Sequence, residues 1–456
     1  VIDPVLEAWQ RSTAPRRFWL DGGGAREWSG RRSILGVLEH DDVSLTYSAA
    51  RREVTRHASG SSEVVGDDVF EVLSRELELG GPRDQWFGYL GYACRPDLPA
   101  RPSPDVPDGV PDAVWMRPSR VRLVEHAGPD SPPGWRNRRL STEVPAGRRQ
   151  FHHPGGETAA VPPDYRAAFD RVQERLHAGD TYEVNLTHRL EVASDLDPLA
   201  AYLRLRELNP APYAGFLQHD VPGARAWLLS SSPERYATVS TGSTTGEGGS
   251  TTGEGGSTTG EGGRVLETKP IKGTTPRSED PAEDDEHRRR LAQDEKYRAE
   301  NLMIVDLLRH DVASVCEPGS VEVPQLMEVE SYSSVHQLVS TVRGRLRADV
   351  GTVEALRALF PAGSMTGAPK LRTMEVIDEV EATPRGVYAG AFGWVSGDGR
   401  ADLGVVIRSL VTAGDGRYVL GTGGGITVLS DPVEEHAEAM LKAVRLLEAL
   451  GTDGDS

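Results

Sequence analysis

Glu435 and Glu438 stand three positions apart within a helical pattern near the end of the chain. At that spacing both carboxylates point the same way. Glu300 opens another helical stretch, Glu300-Asn301-Leu302-Met303. Carboxylates gathered without histidine or cysteine make a hard oxygen site, which suits Mg2+. The same spacing also fits a solvated helix face, with an ion pair from Glu438 to Lys442. Lys272 lies in Lys269-Pro270-Ile271-Lys272-Gly273-Thr274, on a backbone stiffened by a proline and a β-branched residue. Buried near a metal, such a lysine loses its proton and becomes a nucleophile; at the surface it is an ordinary loop residue. Glu234, in Ser231-Ser232-Pro233-Glu234-Arg235-Tyr236, follows the apolar strand 226–229. Desolvated, it is a general acid; held by Arg235, it is half of a salt bridge.

Two segments could receive anions. Phe360-Pro361-Ala362-Gly363-Ser364-Met365-Thr366-Gly367-Ala368-Pro369-Lys370 is built of small residues that leave backbone N–H groups open, with a helix expected from about Lys370. It lacks the Gly-Lys-Ser/Thr ending of a P-loop, and the run Gly421 to Gly425 is no dinucleotide fingerprint. Arg408 interrupts an apolar strand, Val405-Val406-Ile407-Arg408, where it either clamps a carboxylate or closes an internal salt bridge. Two anion receptors, a hard metal, a poised lysine and a carboxylic acid suit a small dicarboxylate with a poor leaving group.

These groups are far apart in the chain, so elements must bring them together. Residues 33–36, 43–47 and 120–124 read as strands of an antiparallel sheet. A helix opens at Asp164, with Tyr165, Phe169, Val172 and Leu176 on its apolar stripe, and ends at Gly179. In the following strand Tyr182, Val184 and Leu186 alternate with Glu183, Asn185 and Thr187, so one set packs and the other can face a cavity. A helix over 296–314 shows Leu302, Val305, Leu308 and Val312 on one face. The last helix spans about 432–450, capped by Asp431, with Pro432 in its first turn. Val433, Ala437, Leu441, Val444 and Leu447 make its expected buried stripe.

The division expected is an N-terminal subdomain over 1–130, a Pro- and Gly-rich connection over 131–163 and a catalytic domain over 164–456. The catalytic part carries a threefold Ser-Thr-Thr-Gly-Glu-Gly-Gly repeat at 243–263, expected to be a flexible hairpin tip. With 51 Lys+Arg against 69 Asp+Glu the formal charge is −18, which argues against nucleic-acid and anionic-membrane partners. No apolar run approaches the roughly 18 residues of a membrane span. Two cysteines, Cys94 and Cys316, exclude a disulfide scaffold and suit a reducing cytoplasm. The first residue is Val rather than Met, which suits a processed chain or one excised from a longer polypeptide.

Taken in this order, the motifs resemble the chorismate-utilising family that includes anthranilate, isochorismate, salicylate and aminodeoxychorismate synthases. The resemblance is strongest from Asp164 to Leu450. It persists earlier in Trp19-Leu20-Asp21, Arg31-Arg32-Ser33-Ile34-Leu35-Gly36, Gly88-Tyr89-Leu90-Gly91-Tyr92 and Pro111-Asp112-Ala113-Val114-Trp115. It implies an α+β fold, a sandwich of two antiparallel sheets flanked by helices, with the active site in the central cleft. Pro270-Ile271-Lys272-Gly273-Thr274 resembles the aminodeoxychorismate synthase branch, where anthranilate synthases carry alanine at the lysine position. Anthranilate or 2-amino-2-deoxyisochorismate formation, or a catalytically silent scaffold of the same fold, are the alternatives.

The resemblance implies residue roles. Mg2+ held by Glu300, Glu435 and Glu438 binds the ring carboxylate of chorismate, assisted by backbone N–H groups near Gly367-Ala368 and Gly424-Gly425. Arg408 and Tyr388 hold the enolpyruvyl carboxylate. Neutral Lys272 attacks ring C2, Glu234 protonates the departing C4 hydroxyl, and ammonia then displaces the lysine. His336 lines the site, and Thr274, Thr366, Lys442 and Glu183 complete the substrate contacts. Two positions depart from the family pattern: His310 replaces an asparagine, and Glu183 stands where relatives carry Gln, or Lys in those that activate water. The acidic residue disfavours the isochorismate and salicylate readings. Neither cysteine sits in a Gly-x-Cys-x-Gly elbow, so ammonia is expected from a glutamine amidotransferase subunit or fused domain.

Overall fold

The structure is a computed structural model, and it describes residues 3–22, 32–106, 108–126, 161–241, 263–332 and 335–451. The heptad repeat (but for Gly263) and nearly all of the 131–163 connection lie outside these residues. Two large antiparallel sheets, of nine and twelve strands, form the α+β framework. Strands from both halves of the sequence share each sheet. Arg16–Asp21 pairs with Tyr213–His219 in the first, and Gln85–Leu90 pairs with Ala391–Ser396 in the second.

Period-two alternation sorts the core into layers. In Gln85–Leu90, Phe87 and Tyr89 turn toward the other sheet, where Phe87 stacks on Phe18 at 4.1 Å between ring centroids. Trp86 and Leu90 turn the other way, into a core shared with Ile304, Leu308 and Val312 of the helix Glu295–Val315. The outer face of the nine-stranded sheet is covered by Pro198–Leu208 and Pro432–Leu450, whose Tyr202, Leu205, Ala443 and Leu446 pack on Trp19 and Phe216. Among the described residues no helix is long and apolar enough to cross a membrane.

Two helices carry the acidic residues, and both present faces that differ from the apolar stripes of the sequence. In Glu295–Val315 the buried side is Glu300, Asn301, Ile304, Val305, Leu308, Asp311, Val312 and Val315, while Leu302 is exposed. In Pro432–Leu450 it is Glu435, Ala439, Ala443, Leu446, Ala449 and Leu450. Val433, Ala437 and Leu441, expected inside, are exposed. The cause is the surface underneath. The helix lies on the Arg417–Ile426 strand with its glycine run, where only small side chains fit and where a carboxylate finds partners. The Asp431 carboxylate caps that helix by accepting from the Val433 and Glu434 N–H groups, and Gly451, at φ +79°, ends it.

Candidate active site

The Glu183–Ala193 strand is paired along its length with Arg417–Ile426. Val184 and Leu186 pack against the helix Pro163–His177, and Glu183, Asn185 and Thr187 are buried on the other face. Tyr182, expected in the packed set, is exposed, because the strand begins only at Glu183. Lys272 enters from the strand Ile271–Pro276, whose register on Val335–Arg345 slips between Ile271 and Thr274. Lys272 is buried, whereas Thr274 is exposed and outside the cluster.

The Lys272 ammonium pairs with the Glu183 carboxylate. Burial opposes the charge, but Glu183, Glu300 and Glu234 outweigh it and raise the lysine above its ordinary value. In this structure Lys272 is the ion-pair partner of Glu183, so the neutral amine expected from the sequence requires that this proton first be moved. The Glu183 carboxylate is fully buried against the lysine.

Glu234 follows the Ala226–Ser232 strand and is nearly inaccessible. The Ser364 hydroxyl donates to it at 2.6 Å. Burial pushes the Glu234 carboxyl up to about 7, a rise that Ser364 and Lys272 restrain. Arg235 does not hold it, being engaged with Tyr213 and Glu267. The salt-bridge alternative therefore falls away, and a carboxylic acid with an available proton remains.

Glu300 is pushed up to about 7 by burial, restrained by Lys272 and Lys296 and reinforced by Glu183 and Glu435. No described residue hydrogen-bonds its carboxylate. Glu435 accepts from Lys296 Nζ and from the Ser430 hydroxyl, each at 2.7 Å. Glu438 lies at the edge, half exposed, paired with Lys442 at 2.9 Å. Lys442 also donates to the Gly423 carbonyl, so its ammonium serves the protein rather than an open surface.

Glu183, Glu234, Glu300, Glu435 and Glu438 thus face Lys272, Lys296 and Lys442, an excess of two carboxylates. Among the described residues no group of three or more His, Cys, Asp or Glu is tight enough to cage a metal. The donors present are carboxylate oxygens, the ligand type that Mg2+ takes together with waters and substrate oxygens. The unpartnered Glu300 carboxylate is the position that fits a dication best.

Arg408 adopts a left-handed backbone, φ +50°, a costly state for a non-glycine residue. Its guanidinium makes no hydrogen bond or ion pair to a described residue; Tyr388 and Glu438 are its charged or ionisable neighbours. Among the described residues the internal salt bridge is absent, and a half-buried cation without a partner is a receptor for an anion. Tyr388 is held by the Arg189 guanidinium, 5.5 Å from its ring centre. A side chain at Gly421 would collide with that ring.

Other expected contacts are placed differently. Both ring nitrogens of His336 are engaged, with the Ser331 hydroxyl at 2.8 Å and Asp284 at 3.1 Å, so it braces its strand. The Thr366 hydroxyl bonds to the Gly363 and Gly367 carbonyls of its own loop. Gly367-Ala368 is a two-residue strand paired with Val184 and Glu183 rather than an open loop. Gly424 and Gly425 lie inside a strand. The missing side chain at Gly425 leaves room for the Glu183–Lys272 pair, and that at Gly424 leaves room beside Glu435. Sequence reasoning passed over Ser364, which has no signal among its small neighbours, and Lys296. The latter stands four residues before Glu300 on one helix face, a spacing that could have found it. A cavity of about 330 Å³ lined by Arg52, Asp67, Asp68, Glu71, Asp97 and Arg357 shares no residue with this cluster.

Residues 16–247 and 258–448 match the model of a protein family described as chorismate binding enzyme. The chain belongs to the chorismate-binding enzymes. It is 40% identical over 476 residues to a Streptomyces pristinaespiralis protein named aminodeoxychorismate synthase, covering 96% of this chain and 62% of that one. It is 36% identical over 437 residues to aminodeoxychorismate synthase component 1 of Salmonella typhimurium, covering 91% and 89%. An anthranilate synthase component 1 of Streptomyces coelicolor is 35% identical over 79% of this chain and 73% of its own. The chain spans about three fifths of the length of its Streptomyces pristinaespiralis and Streptomyces griseus relatives. Anthranilate synthase component I from Streptococcus pneumoniae shares the fold, with a TM-score of 0.68 at 24% identity over 98% of this chain and 97% of that one. This chorismate-binding enzyme therefore has the two-sheet sandwich of its family.

Proposed function

We propose that this chain acts as component I of an aminodeoxychorismate synthase, converting chorismate and ammonia to 4-amino-4-deoxychorismate, with ammonia delivered by a glutamine amidotransferase subunit or domain. The observation that carries the reading is Lys272 within one buried cluster with a protonatable Glu234 and the acidic set around Glu300. Relatives named aminodeoxychorismate synthase at 36–40% identity support the branch.

In this reading the Arg408 guanidinium and Tyr388 bind the enolpyruvyl carboxylate. Glu300, Glu435 and Glu438 would hold Mg2+, which supplies positive charge to the ring carboxylate and draws electron density from the diene. The Lys272 amine forms a bond to C2 as the C4–O bond breaks, and Glu234 gives its proton to the departing hydroxyl, which leaves as water. Ammonia bonds to C4, the C2–N bond breaks, and the lysine is released. The proton shed by the new C4 ammonium restores Glu234. Lys272 enters this sequence only after losing the proton it carries in the ion pair.

The test is incubation of the chain with chorismate, Mg2+ and ammonium, with identification of the product by mass. A product carrying nitrogen in place of the C4 hydroxyl, with the enolpyruvyl group retained, is expected. Anthranilate, or unchanged chorismate, overturns the reading.

A further inference from the structure

We propose that Glu183 is the catalytic proton acceptor that frees Lys272 for attack; the inference rests on the amination reading above. Among the described residues, Glu183 is the one group that hydrogen-bonds the Lys272 ammonium. The pair is dry: Glu183 is fully inaccessible and Lys272 nearly so. The second carboxylate oxygen of Glu183 is buried without a hydrogen-bond partner, so the group is underserved as an anion and has an open position when neutral. The site is also shaped for the pair, since a side chain at Gly425 would collide with the Glu183 oxygen that meets the lysine.

The surroundings leave Glu183 as the acceptor. The groups facing Lys272 are Glu183 from its strand, Glu300 from the helix Glu295–Val315, Glu234 from the turn after Ala226–Ser232 and Glu438 from the last helix. Glu234 must stay protonated to serve the leaving hydroxyl. Glu300 and Glu438 belong to the magnesium set, and neither hydrogen-bonds the amine. Moving one proton from Lys272 to Glu183 turns a buried ion pair into two neutral groups, and the relief of two desolvated charges offsets part of the attraction that is lost. The balance closes. Glu183 takes the ammonium proton, the neutral amine bonds to C2 and remains a secondary ammonium in the adduct, and the amine released by ammonia recovers its proton from Glu183.

A purely electrostatic role makes the opposite prediction. If Glu183 only held the lysine charged, Glu183→Gln would release the amine and speed the attack. The experiment is single-turnover adduct formation with chorismate and Mg2+ without ammonia, followed by quenching and mass spectrometry from pH 6 to 9. Wild-type enzyme is expected to form the adduct at a rate that declines above about pH 7, as Glu234 loses its proton. Glu183→Gln is expected to form it about 100-fold more slowly at pH 7, with the ratio of its rate to wild type climbing with pH as solvent takes over the proton. Glu183→Asp keeps a carboxylate and is expected to stay within about tenfold of wild type, with its ratio to wild type constant across the range. A Glu183→Gln rate at or above wild type at pH 7, or a ratio to wild type that climbs steeply with pH in Glu183→Asp, overturns the assignment. Absence of an adduct in the wild type overturns the amination reading and this inference together; an adduct in the wild type with an unslowed Glu183→Gln overturns this inference alone.

Discussion

The Ser364 hydroxyl donates a 2.6 Å hydrogen bond to the Glu234 carboxyl, and it is the strongest of the influences that hold that buried acid down near 7. A general acid at about 7 makes the chemical step fall away as the pH rises through that value. Ser364→Ala removes a bond that favours the charged form, so the Glu234 pKa rises further and the alkaline limb of the pH–rate profile moves to higher pH. A limb that stays put, or moves down, in Ser364→Ala contradicts the placement of the acid.

Glu234 also costs stability. Its carboxyl binds its proton more tightly folded than unfolded, so the native state holds more protons between about 4.5 and 7, and stability declines as the pH rises through that range. The rise from 4.5 to about 7 corresponds to about 3 kcal/mol once the group is ionised. Glu234→Gln should therefore be more stable than wild type at pH 8 by a few kcal/mol at most and close to it at pH 5, while losing turnover. Denaturant melts at the two pH values read this directly.

Arg408 should control substrate affinity. Replacing it with Gln removes one charge-assisted anchor, so the chorismate KM rises about 10- to 100-fold with a smaller change in kcat. A normal KM would remove Arg408 from the substrate site. Arg408→Asn should lose affinity similarly yet be at least as stable as Arg408→Gln, because asparagine tolerates the left-handed backbone at φ +50°. Kinetics and thermal melting of the two variants separate binding from backbone strain.

Lys296 donates to Glu435 at 2.7 Å and is a resident cation among the carboxylates expected to hold magnesium. Lys296→Met deletes a positive charge beside them, so Mg2+ should bind about tenfold more tightly by calorimetry, with the protein less stable in chelator. Weaker metal binding would place Lys296 in support of the metal rather than in competition with it.

Much of the fold was legible in the sequence: in Val43–Ser48 period two sends Val43, Leu45 and Tyr47 into one core, while Ser44 and Thr46 meet His219 and His57. So were the identities of the acidic cluster, Glu234, Lys272 and Arg408. The two acidic helices were harder. Leu302, Val433 and Leu441 drew the buried stripe toward themselves, yet Glu300, Glu435, Ala439 and Ala443 are inside, because a glycine strand and a polar cluster lie beneath. The protonation of Lys272 was not legible either. It depends on Glu183, 89 positions away in the chain, which only the pairing of distant strands brings within reach.

The central claim is that Lys272 is the nucleophile, and the direct measurement is the intact and peptide mass of enzyme stalled with chorismate and Mg2+ in the absence of ammonia. The wild type should gain the mass of chorismate less one water on the peptide holding Lys272. Lys272→Arg, which preserves a cation for Glu183 and so avoids leaving that carboxylate buried alone, should fold, bind chorismate and gain nothing. An adduct elsewhere, or undiminished turnover by Lys272→Arg, would contradict the account.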